Sequence, residues 1–225
     1  MLLKAIKAFY TNSRGCVRIN RKEGEWFKIG VGLRQGCVMS PWLFNIFIDS
    51  VVKDMDRFGK GADMNLNESN WEISVLLFAD DSVLIADTKE KLRDLVLEFE
   101  RVCQGKGLKI NSAKSKVMKI SAKPKGDDSH SGLDIIKVNG ESLAETTVFR
   151  YLGTDIGAFG GMKEEIDHRV AEGERVLSSL RELWKNGNLT RKVKMKLFEC
   201  IFVPTVLYGC ETWALNTKMK RELRF

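Results

Sequence analysis

The stretch SVLLFADDSVLIAD, residues 74–87, sets two adjacent acids between two apolar runs. Val75, Leu76, Leu77 and Phe78 stand before the acids, and Val83, Leu84, Ile85 and Ala86 follow. Each flank is short, rich in β-favouring residues and nearly uncharged, the pattern of a strand buried on both faces. The four residues Ala79-Asp80-Asp81-Ser82 between them suit a tight hairpin turn. The stretch therefore predicts a buried hairpin carrying two carboxylates at its tip. Two readings of that pair stay open from these residues alone. Asp is an ordinary turn residue. Alternatively, neighbouring carboxylates repel unless a cation neutralises them, and hard oxygen donors in an apolar frame suit Mg²⁺ or Mn²⁺.

The 225 residues, 44% of them hydrophobic, are enough for one domain plus a small second one. No run approaches the ~18 apolar residues of a membrane span. The opening MLLKAIKAFYTNSRG has lysines among its apolar residues at helical spacing, unlike a signal peptide. It predicts an amphipathic helix with Leu2, Leu3, Ile6, Phe9 and Tyr10 on one side. The five cysteines (Cys16, Cys37, Cys103, Cys200 and Cys210) are odd in number and never spaced C-x-x-C. Neither a disulfide framework nor a zinc site is indicated, and an intracellular, nuclear or cytoplasmic location is expected rather than secretion.

The net charge of +7 is unevenly spread. Residues 106–125 hold seven lysines and no acid, and residues 185–225 hold nine basic side chains against three acidic. Two basic segments on an otherwise acidic body suit phosphate-backbone binding, or two solvated lysine-rich faces. No repeat is evident, and residues 122–134 (AKPKGDDSHSGLD) read as a loop.

The remaining segments fall into place around the acidic hairpin. Val17–Asn20 and Trp26–Gly30 predict a hairpin around the polar turn RKEGE. Ser40-Pro41 predicts a helix start, with Leu43, Phe44, Phe47, Ile48, Val51, Val52 and Met55 as its buried stripe. Asp87 and Glu90 are placed for a capping box on the next helix, whose stripe is Leu92, Leu95, Val96, Phe99, Val102 and Cys103. Gly105 and Gly107 end that helix. KVMKIS, IIKVNG and FRYLGTDI read as strands. From Gly161 onward, Met162, Ile166, Val170, Val176 or Leu177, Leu180 and Trp184 mark a long helix stopped at Asn186-Gly187. Thr190 caps a second, basic helix that Pro204 kinks or ends.

Several of these segments together resemble one family. GLRQGCVMSPWLFNIFIDSVV (32–52), FADD (78–81), GLKINSAKSK (107–116), FRYLGTDI (149–156) and PTVLYGCETW (204–213) look like consecutive motifs of reverse transcriptases, those of non-LTR (LINE-type) retrotransposons above all. The resemblance spans nearly the whole chain. It implies an α+β fold: a partial polymerase palm over residues 1–160, with a ferredoxin-like antiparallel sheet backed by helices, then a helical thumb over 161–225. It also implies RNA-directed DNA polymerase activity by two-metal nucleotidyl transfer with Mg²⁺ or Mn²⁺, an RNA template, a DNA primer and deoxynucleoside triphosphates.

Carried over residue by residue, the resemblance makes Asp80 and Asp81 the acidic pair, with Asp80 the direct metal ligand and Asp81 in support. Arg34, Gln35 and Gly36, with Phe78 and Ala79, would shape the nucleotide and template pocket. Lys114 would protonate or neutralise pyrophosphate, and Lys116 would contact the nucleic-acid backbone. Tyr151, Leu152 and Gly153 match the primer-grip turn. Arg191, Lys192, Lys194 and Lys196 would track the duplex. His130 and His168 are assigned no role.

In the family a further metal-binding Asp lies on a strand upstream of the first helix, and nothing in these residues resembles it. The finger segments and an endonuclease domain are likewise unmatched. The expectation is a C-terminal part of a polymerase, inactive by itself and completed by an N-terminal palm and fingers segment. The alternative is a non-catalytic retroelement remnant or a nucleic-acid-binding module.

Overall fold

The computed structural model describes residues 2–55, 62–66, 69–121, 136–160 and 162–214. The stretch 122–134 with His130, and the basic residues from Lys218 onward, lie outside the described residues. The chain divides into two compact units, Met1–Ile85 and Ala86–Phe225.

The first unit opens with α1 (Leu2–Tyr10), as the spacing predicts, but its apolar side stays open: Leu2, Leu3 and Phe9 are exposed. Four two-residue strands follow: β1 (Arg14–Gly15), β2 (Arg18–Ile19), β3 (Lys22–Glu23) and β4 (Phe27–Lys28). β2 pairs with β3 as Arg18↔Glu23 and Ile19↔Lys22, while β1 pairs with β4 as Arg14↔Lys28 and Gly15↔Phe27. The expected pairing of Val17–Asn20 with Trp26–Gly30 is not formed: the first segment pairs with β3, and β4 pairs back to β1. The chain reverses at Asn20-Arg21, both left-handed (φ 49° and 65°), instead of at RKEGE. Two consecutive positive φ values match the right-handed strand twist, and Asn tolerates them.

Helix α2 (Ser40–Met55) buries Val51 and Met55 and half-buries Leu43, Phe44, Ile48 and Val52, the expected stripe, while Phe47 is exposed. Then β5 (Ala62–Leu66) pairs with β6 (Ser69–Ile73), and β7 (Val75–Phe78) with β8 (Asp81–Leu84), both antiparallel.

The second unit holds most of the buried apolar side chains. Helix α3 (Lys89–Gly105) buries Leu95, Val96, Phe99, Val102 and Cys103. Its N-cap is Thr88, whose side chain accepts from Lys91 N at 3.2 Å, not the expected Asp87–Glu90 box. Asp87 is taken up by Lys91 Nζ at 3.0 Å, which holds its carboxyl below the usual carboxylate range. At the other end Leu108 N bonds Cys103 O at 2.8 Å around Gly107 (φ 76°), a glycine-turned helix stop as expected.

Short ladders follow. β9 (Lys116–Val117) pairs in parallel with β12 (Ala144–Glu145), and β10 (Lys137–Val138) pairs with β11 (Glu141–Ser142) across Asn139-Gly140. β13 (Val148–Tyr151) pairs with β14 (Thr154–Gly157) across Leu152-Gly153.

Helices α4 (Lys163–Ser179) and α5 (Arg181–Lys185) replace the single long helix expected, with a break at Leu180. Thr190 caps α6 (Arg191–Leu197) as predicted, accepting from Val193 N at 3.4 Å. The helix then widens into a π-turn over Phe198–Phe202 before α7 (Val203–Val206). Pro204 has no N–H for the Cys200 carbonyl, and a wider turn is one way a helix absorbs that loss. Pro204 thus shifts the helix rather than ending it.

Helices and small sheets make this an α+β chain. Among the described residues the strands pair two by two, and not in the one antiparallel sheet the resemblance implies. Many strands are only two residues long, too short to recruit a third neighbour. Within the second unit α4 packs against β14. No described helix is long and apolar enough to cross a membrane.

Candidate functional site

The acidic hairpin is tighter than its sequence predicts. Phe78 pairs directly with Asp81, so the turn is only Ala79-Asp80, with Ala79 left-handed at φ 51°. Asp81 begins a strand. Residues paired directly across a ladder share a face, which puts Leu76, Phe78, Asp81 and Val83 on one side. That side is open: Leu76 is 41% and Phe78 60% exposed. The hairpin is therefore not buried on both faces, because β7 and β8 pair only with each other among the described residues.

Asp80 and Asp81 are both exposed, and no hydrogen bond or ion pair with a described side chain takes up either carboxylate. Their hard oxygens suit part of a Mg²⁺ or Mn²⁺ shell, since Mg²⁺ is commonly held by one or two carboxylates together with substrate phosphates. Among the described residues no group of three His, Cys, Asp or Glu is placed to hold an ion.

In the same unit, Arg34, Gln35 and Gly36 form the loop before α2. Gly36 is left-handed (φ 79°), where a side chain would strain the turn. Arg34 is committed to the scaffold. Its Nη2 donates to Ser13 Oγ at 3.0 Å, and its guanidinium lies 5.9 Å from the Tyr10 ring centre. Ser40 Oγ donates to Arg34 O at 2.8 Å and lies 3.1 Å from Tyr10 Oη, so this hydroxyl steadies the loop instead of capping α2. Gln35 is left exposed at the surface. Beside it, the Met39 backbone N–H, helped by the Ser40 hydroxyl, lowers the Cys37 thiol pKa.

In the second unit, Lys114 stands exposed on a turn built by Asn111, whose Oδ1 accepts from Lys114 N at 3.2 Å. Lys116 is exposed on β9. The neighbouring turn is braced by Asn139, whose Nδ2 donates to Ile110 O at 2.8 Å. On α6, Arg191, Lys192 and Lys196 are exposed, but Lys194 turns back to donate to Trp184 O at 2.7 Å. Lys194 is thus partly a structural residue, closing the C-terminal end of α5.

The Tyr151–Gly153 turn is braced by side chains of the helical region. Glu165 Oε2 accepts from Asp155 N at 2.7 Å, and Glu165 Oε1 accepts from Arg169 Nε at 2.6 Å. Arg169 Nη2 donates to Gly153 O, and Tyr208 Oη donates to Leu152 O at 2.9 Å. The Arg169 guanidinium lies 4.8 Å from the Tyr208 ring centre. Glu165, Arg169 and Tyr208 were not among the residues singled out from sequence. A signal existed for each: Glu165 and Arg169 are one turn apart on the line of Ile166, and Tyr208 lies within PTVLYGCETW.

Residues 1–156 match the family described as Reverse transcriptase (RNA-dependent DNA polymerase), and the chain belongs to that family. Its relatives include proteins of R2 retrotransposable elements, of the non-LTR kind that its motifs resemble. One is the Retrovirus-related Pol polyprotein from type-1 retrotransposable element R2 of Nasonia vitripennis, 28% identical over 165 residues, 70% of this chain and 15% of that protein. The protein of the same description from Popillia japonica is 25% identical over 194 residues, 85% of this chain and 26% of its own length. A transposon-derived protein of Caenorhabditis elegans is 28% identical over 167 residues, 72% of this chain and 55% of its own. The chain thus spans about half or less of the length of these relatives.

Proposed function

We propose that these residues belong to an RNA-directed DNA polymerase of a non-LTR retrotransposon and supply part of its palm and its thumb. The observation that carries the reading is the Phe78–Asp81 turn: two exposed carboxylates on a two-residue hairpin, unpaired among the described residues, within the segment that matches the family. The substrates in this reading are an RNA template, a DNA primer and deoxynucleoside triphosphates, and the protein works inside the cell. The primer 3′ oxygen attacks the α-phosphorus, and the bond to pyrophosphate breaks. Bound divalent ions, Mg²⁺ or Mn²⁺, supply charge neutralisation at the phosphates and activation of the hydroxyl.

Asp80 is the direct ligand and Asp81 fixes the geometry, both carried where the two-residue turn joins β7 to β8. Gln35 offers its exposed amide to template or base, while Arg34 acts by holding the loop. Lys114 meets the leaving pyrophosphate, and the Tyr151–Gly153 turn meets the primer end.

One observation favours a second reading, in which these residues bind nucleic acid without synthesis. The Asp80–Asp81 pair has no third carboxylate grouped with it among the described residues. Primer extension on a primed RNA template separates the two. Residues 1–225 alone should show no synthesis, and a longer chain adding the upstream Asp strand should extend the primer and lose that activity in Asp80→Asn. Extension that survives Asp80→Asn would overturn the assignment, and none from the longer chain would favour the binding module.

A further inference from the structure

The turn at Leu152-Gly153 carries a cost that the hairpin alone does not meet. Leu152 is left-handed at φ 50°, a conformation that costs a branched L-residue roughly 1–2 kcal/mol and persists only where surroundings enforce it. Within the two-residue turn, the Leu152 and Gly153 carbonyls have no ladder partner. Both find one in the helical region: Tyr208 Oη donates to Leu152 O, and Arg169 Nη2 donates to Gly153 O. Glu165 completes the set by accepting from Asp155 N on the returning strand and from Arg169 Nε.

Packing agrees with this bonding. A Cβ at Gly209 would lie 2.6 Å from Thr154 Oγ1, so the Tyr208-Gly209 backbone is seated directly against the turn. Glu165 is fully buried and Arg169 nearly so. Burying an ion pair gains little stability over an apolar pair of similar volume. Aiming two charged groups and a phenol at three backbone groups of one hairpin end gives it a single geometry.

We propose that Glu165, Arg169 and Tyr208 are positioning residues that hold the Tyr151–Gly153 turn in the shape that receives a primer 3′ end. The inference rests on the polymerase reading above. It assigns a task to Tyr208-Gly209 in PTVLYGCETW and to two residues of α4 that a purely apolar stripe would not contain.

The test compares binding of the full chain to two RNA–DNA duplexes of equal length, one with a recessed DNA 3′ end and one blunt. Tyr208→Phe removes the hydroxyl and keeps the ring beneath Arg169. The ratio of recessed to blunt affinity should fall by up to about fivefold, the worth of one neutral hydrogen bond, and the unfolding midpoint should drop only slightly. Arg169→Lys, which cannot reach Glu165 and Gly153 together, should lower the same ratio. Hydrogen exchange at the Asp155 amide reports the turn separately. A ratio unchanged in both variants while that amide exchanges faster would overturn the positioning role. Equal loss on both duplexes would overturn it as well. Wild-type protein that binds the two duplexes alike would overturn the polymerase reading instead.

Discussion

Arg169 Nε donates to Glu165 Oε1 across 2.6 Å, one helical turn away, and the two side chains are only 8% and 0% exposed. Removing one partner of such a pair strands a buried charge, at a cost of roughly 3–5 kcal/mol. Glu165→Leu and Arg169→Met should each destabilise the chain by about that much in denaturant unfolding. The double variant should recover most of the loss. Additive losses would mean that the two side chains act independently.

Gly173 lies on the same buried line of α4, facing α7. A Cβ there would stand 2.7 Å from Val206 Cγ2 and 3.1 Å from Phe202 Cε2. Alanine is the better helix former by about 0.8–1 kcal/mol, but overpacking a filled core costs about 1–3 kcal/mol. Gly173→Ala should therefore be destabilising, and Val206→Ala in the same chain should relieve part of the loss. A stabilised Gly173→Ala would show that α7 can move aside.

Glu165, Arg169 and Gly173 explain why α4 was only half legible. Its apolar spacing marks Ile166, Val176 and Leu180, but the buried line also runs through two charges and a glycine, which a hydrophobic pattern counts as surface. Helix α3, whose buried line is wholly apolar, is read correctly nearly to its ends. Turns fared worse. The Asp pair drew the expected reversal to Ala79–Ser82, yet Phe78 pairs with Asp81 and the chain turns within two residues. Asn139-Gly140 is a strong two-residue hairpin signal inside the strand-like IIKVNG, and Leu152 is left-handed where propensity opposes it. Of the candidate site, the acids and lysines are picked out by type and spacing, and the structure places Asp80, Asp81, Lys114 and Lys116 at the surface. The residues that hold the turns were not, because their partners are backbone groups distant in sequence.

Cys37 should be the most reactive thiol of the chain. The Met39 N–H and the Ser40 hydroxyl stabilise its thiolate, whereas burial pushes the Cys103 thiol up. A lower pKa means more thiolate at neutral pH, and the thiolate is the nucleophile. Timed alkylation followed by peptide mass spectrometry should show Cys37 modified first and Cys103 last, with Ser40→Ala slowing Cys37. Equal rates at Cys37 and Cys200 would contradict this arrangement.

Divalent-ion binding should be weak without nucleotide. Asp80 and Asp81 offer two carboxylates, and Mg²⁺ sheds its water reluctantly for so few protein ligands. Mn²⁺ should broaden the resonances of the 78–82 turn only at high ion concentration. Asp80→Asn should abolish that broadening, and adding a deoxynucleoside triphosphate should strengthen it in the wild type. Tight binding that survives Asp80→Asn would place the ion elsewhere.

The lysines of α6 should separate by role. Lys192 and Lys196 are four apart and exposed on one helical face, whereas Lys194 Nζ is spent on the Trp184 carbonyl at 2.7 Å. Each phosphate neutralised releases counterions and adds about 0.9 to the slope of log affinity against log salt. Reversing both exposed lysines, Lys192→Glu with Lys196→Glu, should flatten that slope by about two for duplex binding, whatever the duplex sequence. Lys194→Met should barely change the slope. It should instead lower stability by about 1 kcal/mol, because the end of α5 loses a charged donor. Fluorescence anisotropy across a salt series, with unfolding curves alongside, measures both effects. A slope unmoved by the double reversal would make those lysines ordinary solvated surface, and a slope moved by Lys194→Met would show that its bond to Trp184 yields to phosphate.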